Sequence, residues 1–136
     1  MEADKAREFI AAHHRAVLAT QRGDGRPQLS PVTCGVDDDG RVLISTRETA
    51  VKAKNLRRHP HASLCVFSDE FFGPWVQVEG SAEVVPLPEA MDLLVEYYRR
   101  TAGEHPDWDD YRAAMVRERR VIVRITIERA GPDVSG

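Results

Sequence analysis

The chain has 136 residues, 42% of them hydrophobic, and a formal net charge of −3. That is the size of one ordinary domain with a sizeable core, and the charge argues against a general nucleic-acid binder. Cys34 and Cys65 are too few and too scattered for a disulfide framework or a zinc site, and both are expected to be buried free thiols in apolar strands. Five of the first eight residues are charged, with no apolar core among them, and no apolar run approaches membrane-spanning length, so a soluble, cytoplasmic protein with no membrane partner is expected.

In chain order, the pattern predicts a short leading helix from Ala3 to about His13, with His13 and His14 in it, and then a first strand over residues 15–21. Asp24-Gly25 supplies a hairpin turn, because glycine accepts the positive φ that tight turns need. A second strand is expected over residues 27–36. Pro31 in its middle would remove a ladder hydrogen bond from a central strand, so an edge or a bulge is predicted there. Asp37-Asp38-Asp39-Gly40 reads as a solvated turn, since its spacing lacks the rest of a calcium loop.

Residues 42–56 read as a buried strand running through hydroxyl residues into the first turn of a basic helix. Arg47, Lys52, Lys54, Arg57 and Arg58 face one acid, Glu48, so this acidic protein carries a basic patch suited to a small anionic ligand. Two readings fit. One is an anion site, with hydroxyls at the strand end, free N–H groups and Lys52 around a phosphate. The other is a surface helix capped by Thr49 with solvated lysines. Lys52, Asn55, Leu56 and His59 share one helical face, while Lys54 and Arg58 offer charge farther out. The helix is expected to stop at Pro60.

A fourth strand is predicted over residues 62–68, followed by a loop whose Phe71 and Phe72 fit a subunit interface or a ligand cap. The fifth strand, residues 75–85, alternates Val76, Val78, Gly80, Ala82 and Val84 with a more polar series that includes Trp75 and Gln77. Met91, Leu94, Val95 and Tyr98 fall at core spacing on a helix that Gly103 ends. A short helix then starts at the acidic cluster around Trp108, and residues 119–129 make a final strand, giving six strands with three or four helices. No dinucleotide fingerprint, phosphate loop or nucleophile elbow occurs, and the histidines lack metal-ligand spacing.

Together these residues resemble a known family. Val17-Leu18-Ala19-Thr20, Gly25-Arg26-Pro27-Gln28-Leu29-Ser30, Leu43-Ile44-Ser45, Lys52-Ala53-Lys54-Asn55-Leu56-Arg57-Arg58, Val78-Glu79-Gly80-Ser81-Ala82 and Ala102-Gly103-Glu104-His105 with Asp107-Trp108-Asp109-Asp110-Tyr111-Arg112 resemble, in order and spacing, the pyridoxamine 5′-phosphate oxidase-like proteins that use a deazaflavin coenzyme. The resemblance implies a mainly β fold with flanking helices, a six-stranded antiparallel split β-barrel of the FMN-binding type, spanning residues 1–136. It implies a homodimer with cofactor sites between the subunits. Lys52 matches the phosphate lysine; Ser45, Thr46 and Asn55 match positions around it; Ser30, Pro31 and Val32 match the strand facing the ring. Lys54 is placed toward the coenzyme's anionic tail, and Trp75 and Gln77 complete the cofactor-binding set. Coenzyme F420 is the expected cofactor, with FMN as the alternative, and a small unsaturated or quinone-like molecule is the expected substrate. The hydride chemistry belongs to the cofactor, so no side chain is assigned as catalytic. Oxidation of vitamin B6 is not expected, because the chain ends soon after Arg129. A cofactor carrier or sensor without turnover is the reading from another class.

Overall fold

The computed structural model describes residues 1–132. Its elements are α1 (Ala3–Ala12), β1 (Arg15–Gln21), β2 (Pro27–Thr33), β3 (Gly35–Val36), β4 (Val42–Arg47), α2 (Val51–Arg58), β5 (His61–Phe67), β6 (Trp75–Val85), α3 (Ala90–Ala102), α4 (Trp108–Arg117) and β7 (Arg120–Ala130). The strands form one antiparallel sheet in the order β2-β1-β5-β6-β7-β4-β3. The sheet curls until β2 approaches β4 without pairing to it, and this leaves the barrel split between them.

Alternation along the strands sorts side chains onto two faces. The inner face carries Leu18, Ile44, Leu64, Val66, Val76, Val78 and Ile125, and Ile10 of α1 and Leu56 of α2 plug it. On the outer face of β4 and β7, Leu43 and Ile122 pack beneath α3 and α4 against Leu94, Val95, Tyr111 and Met115. Cover on both faces explains why Val42-Leu43-Ile44 and Val121-Ile122-Val123 are continuously buried rather than alternating.

Several expectations change. There are seven strands among the described residues, because the stretch expected as one strand over residues 27–36 breaks at Cys34. The Cys34 N–H donates to His14 O at 2.8 Å, after which Gly35 and Val36 pair with β4 instead of β1. Glycine suits the position next to that break, since a Cβ on Gly35 would lie 3.2 Å from Arg100 Cβ, and α3 would have to shift slightly to admit it. β2 is an edge strand, and Pro31 sits opposite Val17 in it. The first helix ends at Ala12, so His13 and His14 lie outside it; His13 is the extended C-cap, and His14 Nδ1 is 2.8 Å from Cys34 O. The Asp37 carboxylate is buried rather than solvated and accepts from the N–H groups of Asp39 and Arg41, both at 2.9 Å. Cys34 is a buried free thiol as expected, whereas Cys65 is only half-buried, on the outer face of β5.

Candidate functional site

β4 and α2 meet at residues 48–50, and the basic stretch resolves there into committed and uncommitted charge. Thr49 does not cap the helix. The N-cap is Ala50, which has no side-chain group to satisfy the first-turn amides. Arg57 donates to Glu48 O at 3.1 Å, while Arg58 donates to Gln21 O at 3.3 Å and to Asn55 Oδ1 at 2.9 Å. Both arginines therefore tie α2 to neighbouring chain. The one acid of the segment is turned away, since Glu48 binds Arg119 at 2.9 and 3.2 Å. Lys52, half-buried in the first turn, and exposed Lys54 make no ion pair among the described residues. An uncapped positive helix end with two unspent ammonium groups is a donor set that fits an anionic group such as a phosphate.

The remaining candidates do not gather around Lys52. Asn55 is buried and donates to Thr20 Oγ1 at 3.1 Å, so its amide joins α2 to β1. Ser45 and Thr46 are neighbours on β4 and hence point to opposite faces; Thr46 is buried inward, and Ser45 is half-buried on the outer face. Ser30 lies opposite buried Leu18 and shares its inner face with half-buried Val32, whereas Pro31 is exposed outward. Gln77 and Trp75 face outward opposite Cys65 and Phe67. Gln77 lines a shallow cavity of about 250 Å³ together with Val17, Ala19, Leu29, Ser63 and Cys65. Within one chain the ten residues thus occupy the β4–α2 corner and the two faces of the β2–β1–β5–β6 half of the sheet.

A group of residues not singled out from the sequence lies near Ser45. Tyr97 on α3, Tyr111 on α4, His105 between them, Glu118 at the C-cap of α4 and Arg120 at the start of β7 line a cleft of about 380 Å³ that includes Ser45. The Tyr97 hydroxyl donates to Thr33 O at 3.2 Å and so bridges α3 to the end of β2. Burial holds the Tyr97 phenol above its ordinary pKa, and burial first, then the nearby Tyr97 charge, pushes Tyr111 up to about 12. Both phenols stay protonated at neutral pH. Arg120 donates through Nε at 3.1 Å and Nη2 at 2.9 Å to one oxygen of Glu118, which lowers that carboxyl's pKa. The adjacent Tyr97-Tyr98 pair was the available signal, since neighbouring helical residues point about 100° apart and only one can serve the core stripe. Among the described residues no group of three or more His, Cys, Asp or Glu side chains is placed to hold a metal ion, and no helix is long and apolar enough to cross a membrane.

Comparison with known proteins adds to this geometry. An F420H(2)-dependent biliverdin reductase of Mycobacterium tuberculosis is 29% identical over 128 residues, 93% of this chain and 84% of the relative. The crystal structure of a conserved hypothetical protein of the same organism is 31% identical with a TM-score of 0.77, covering 96% of this chain and 82% of that one. A heme storage protein of Vibrio cholerae has the same fold at 18% identity and a TM-score of 0.70, covering 98% of this chain and 95% of that one. One fold thus serves different ligands, and function has to be argued from the site. The profile described as pyridoxamine 5′-phosphate oxidase matches residues 3–132, from the first helix to past the last strand. The chain belongs to the pyridoxamine 5′-phosphate oxidase family.

Proposed function

We propose that this protein is an oxidoreductase that uses reduced coenzyme F420 to reduce a small unsaturated or quinone-like molecule. The observation that carries the proposal is the pair of unspent lysines, Lys52 and Lys54, at the uncapped start of α2. The similarity to an F420H(2)-dependent reductase supports it. Lys52 and the first-turn amides would hold the phosphate, with Ser45, Thr46 and Asn55 shaping the corner, and Lys54 lies outward where an anionic tail would run. Ser30, Pro31 and Val32 would supply the strand beside the ring, and Trp75 and Gln77 its outer-face wall. A bound reduced deazaflavin supplies hydride. The protein's part is to bind, orient and exclude water, and no side chain is assigned as acid or base.

The proposal includes a homodimer. Leu29 is 61% exposed on the outward face of β2, and Phe71 and Phe72 are 78% and 91% exposed at the end of β5. A second copy laid on this face would bury them and turn shallow cavities into enclosed ones, bringing together groups that one chain holds apart. FMN in the same place is the second reading, which membership of the pyridoxamine 5′-phosphate oxidase family supports. Titrating the purified protein with each coenzyme separates the two: submicromolar F420 binding is expected, and tight FMN binding without F420 binding would overturn the first reading. Binding of F420 with no oxidation of its reduced form by any of a panel of enones, quinones and biliverdin would instead indicate a carrier.

A further inference from the structure

The cleft beneath α3 and α4 has aromatic walls and unspent hydrogen-bond donors. Tyr97, Tyr98, His105 and Tyr111 line it, Ala114 and Met115 add apolar surface, and Asp110 and Glu118 add carboxylates. Two of the three tyrosine hydroxyls are occupied elsewhere: Tyr111 donates to Leu94 O at 2.7 Å, and Tyr97 to Thr33 O. Ser45 Oγ, by contrast, makes no hydrogen bond among the described residues, and Arg120 uses only Nε and Nη2 on Glu118, leaving its Nη1 donors free. A ligand matched to these walls is flat and conjugated, and one matched to these donors brings an oxygen acceptor.

From this geometry we propose that the α3–α4 cleft is a binding site for a small planar conjugated carbonyl compound, with its ring against Tyr97, Tyr98 and Tyr111 and its oxygen toward Arg120 and Ser45. The cleft lies beside the barrel split, on the β4 side, and one of its wall residues reaches across to β2. Tyr97 bonds Thr33, next to the Ser30–Val32 segment, and Ser45 lies on β4 leading to Lys52. That this ligand is also the acceptor of the reduction rests on the function proposed above. It then takes up one hydride from the reduced coenzyme and one proton from water, leaving the carbonyl compound reduced by two electrons and the coenzyme oxidised.

The test uses chromone, a planar bicyclic conjugated ketone, and its carbonyl-free analogue chroman, titrated calorimetrically into the full-length protein. Chromone should bind at least tenfold more tightly than chroman, the scale of one charge-assisted hydrogen bond. Ala114→Phe fills the cleft and should abolish chromone binding while leaving F420 affinity unchanged, with folding checked by circular dichroism. Arg120→Gln should weaken chromone roughly tenfold and bring it close to chroman. Wild-type protein that binds no chromone, or folded Ala114→Phe or Arg120→Gln protein that binds it as wild type does, would overturn the site. Chromone binding that Ala114→Phe abolishes, in a protein that binds no F420, would uphold the cleft and sink the coenzyme reading instead.

Discussion

Lys52 and Asn55 lie on one face of the same helix turn and have different fates. Asn55 spends its amide on Thr20 and Arg58, while Lys52 is left without a partner among the described residues. Lys52→Ala should therefore weaken coenzyme binding by roughly 1.5–3 kcal/mol and leave unfolding unchanged. Asn55→Ala should chiefly destabilise the fold, by about 2 kcal/mol, because it strands the Thr20 hydroxyl and frees Arg58. Parallel binding and urea-unfolding curves check the contrast. A second residue-scale prediction concerns Cys34, whose thiol burial pushes up to about 12 from 9.0. Below pH 9 both folded and unfolded chains keep this proton. Between pH 9 and 12 only the unfolded chain releases it, so stability falls with rising pH at up to about 1.4 kcal/mol per unit. Urea titrations at pH 8 and pH 10.5 should show a smaller loss for Cys34→Ala than for wild type. An equal loss would show that the thiol does not set this pH dependence. At this scale the sequence is only partly informative. The helical spacing groups Lys52 with Asn55, but only the packing of α2 on β1 decides which of them turns inward.

At the level of elements, most strands and helices are legible in the pattern because two periodicities, 2 and 3.6, dominate it. β6 runs from Trp75 to Val85 as the alternation predicts. What the pattern does not reveal is where pairing partners change. The break at Cys34 depends on a hydrogen bond to His14, twenty residues away, and on α3 crowding Gly35. The N-cap of α2 is likewise Ala50 rather than Thr49, which leaves the first-turn amides without a side-chain cap. β6 holds a further constraint at Gly80, where the ladder to β7 slips by a residue and a Cβ would lie 1.8 Å from Thr126 O. Gly80→Ala has no room without moving β7 backbone. It should cost roughly 3 kcal/mol in chemical denaturation, against a few tenths for an exposed substitution such as Ser81→Ala.

On the scale of the whole molecule, the curled sheet keeps the groups of the candidate site apart in one chain and exposes the apolar outer face that a second copy would cover. Light scattering should give twice the chain mass, and Leu29→Asp should shift it to the single-chain mass. A monomeric wild type would leave Trp75 and Gln77 without a route to the Lys52 corner. Family membership was legible from short segments spread over the chain, whereas the α3–α4 cleft was not, because residues 45, 97, 105, 111 and 120 come together only when the helices fold over the outer face of β4 and β7. The proposed binding of a reduced deazaflavin at the β4–α2 corner for hydride transfer is tested by direct titration with coenzyme F420 and with FMN, repeated across salt concentrations. F420 binding in preference to FMN is expected, weakening as salt screens Lys52 and Lys54. FMN binding in preference to F420, or F420 binding that Lys52→Ala leaves unchanged, would contradict it.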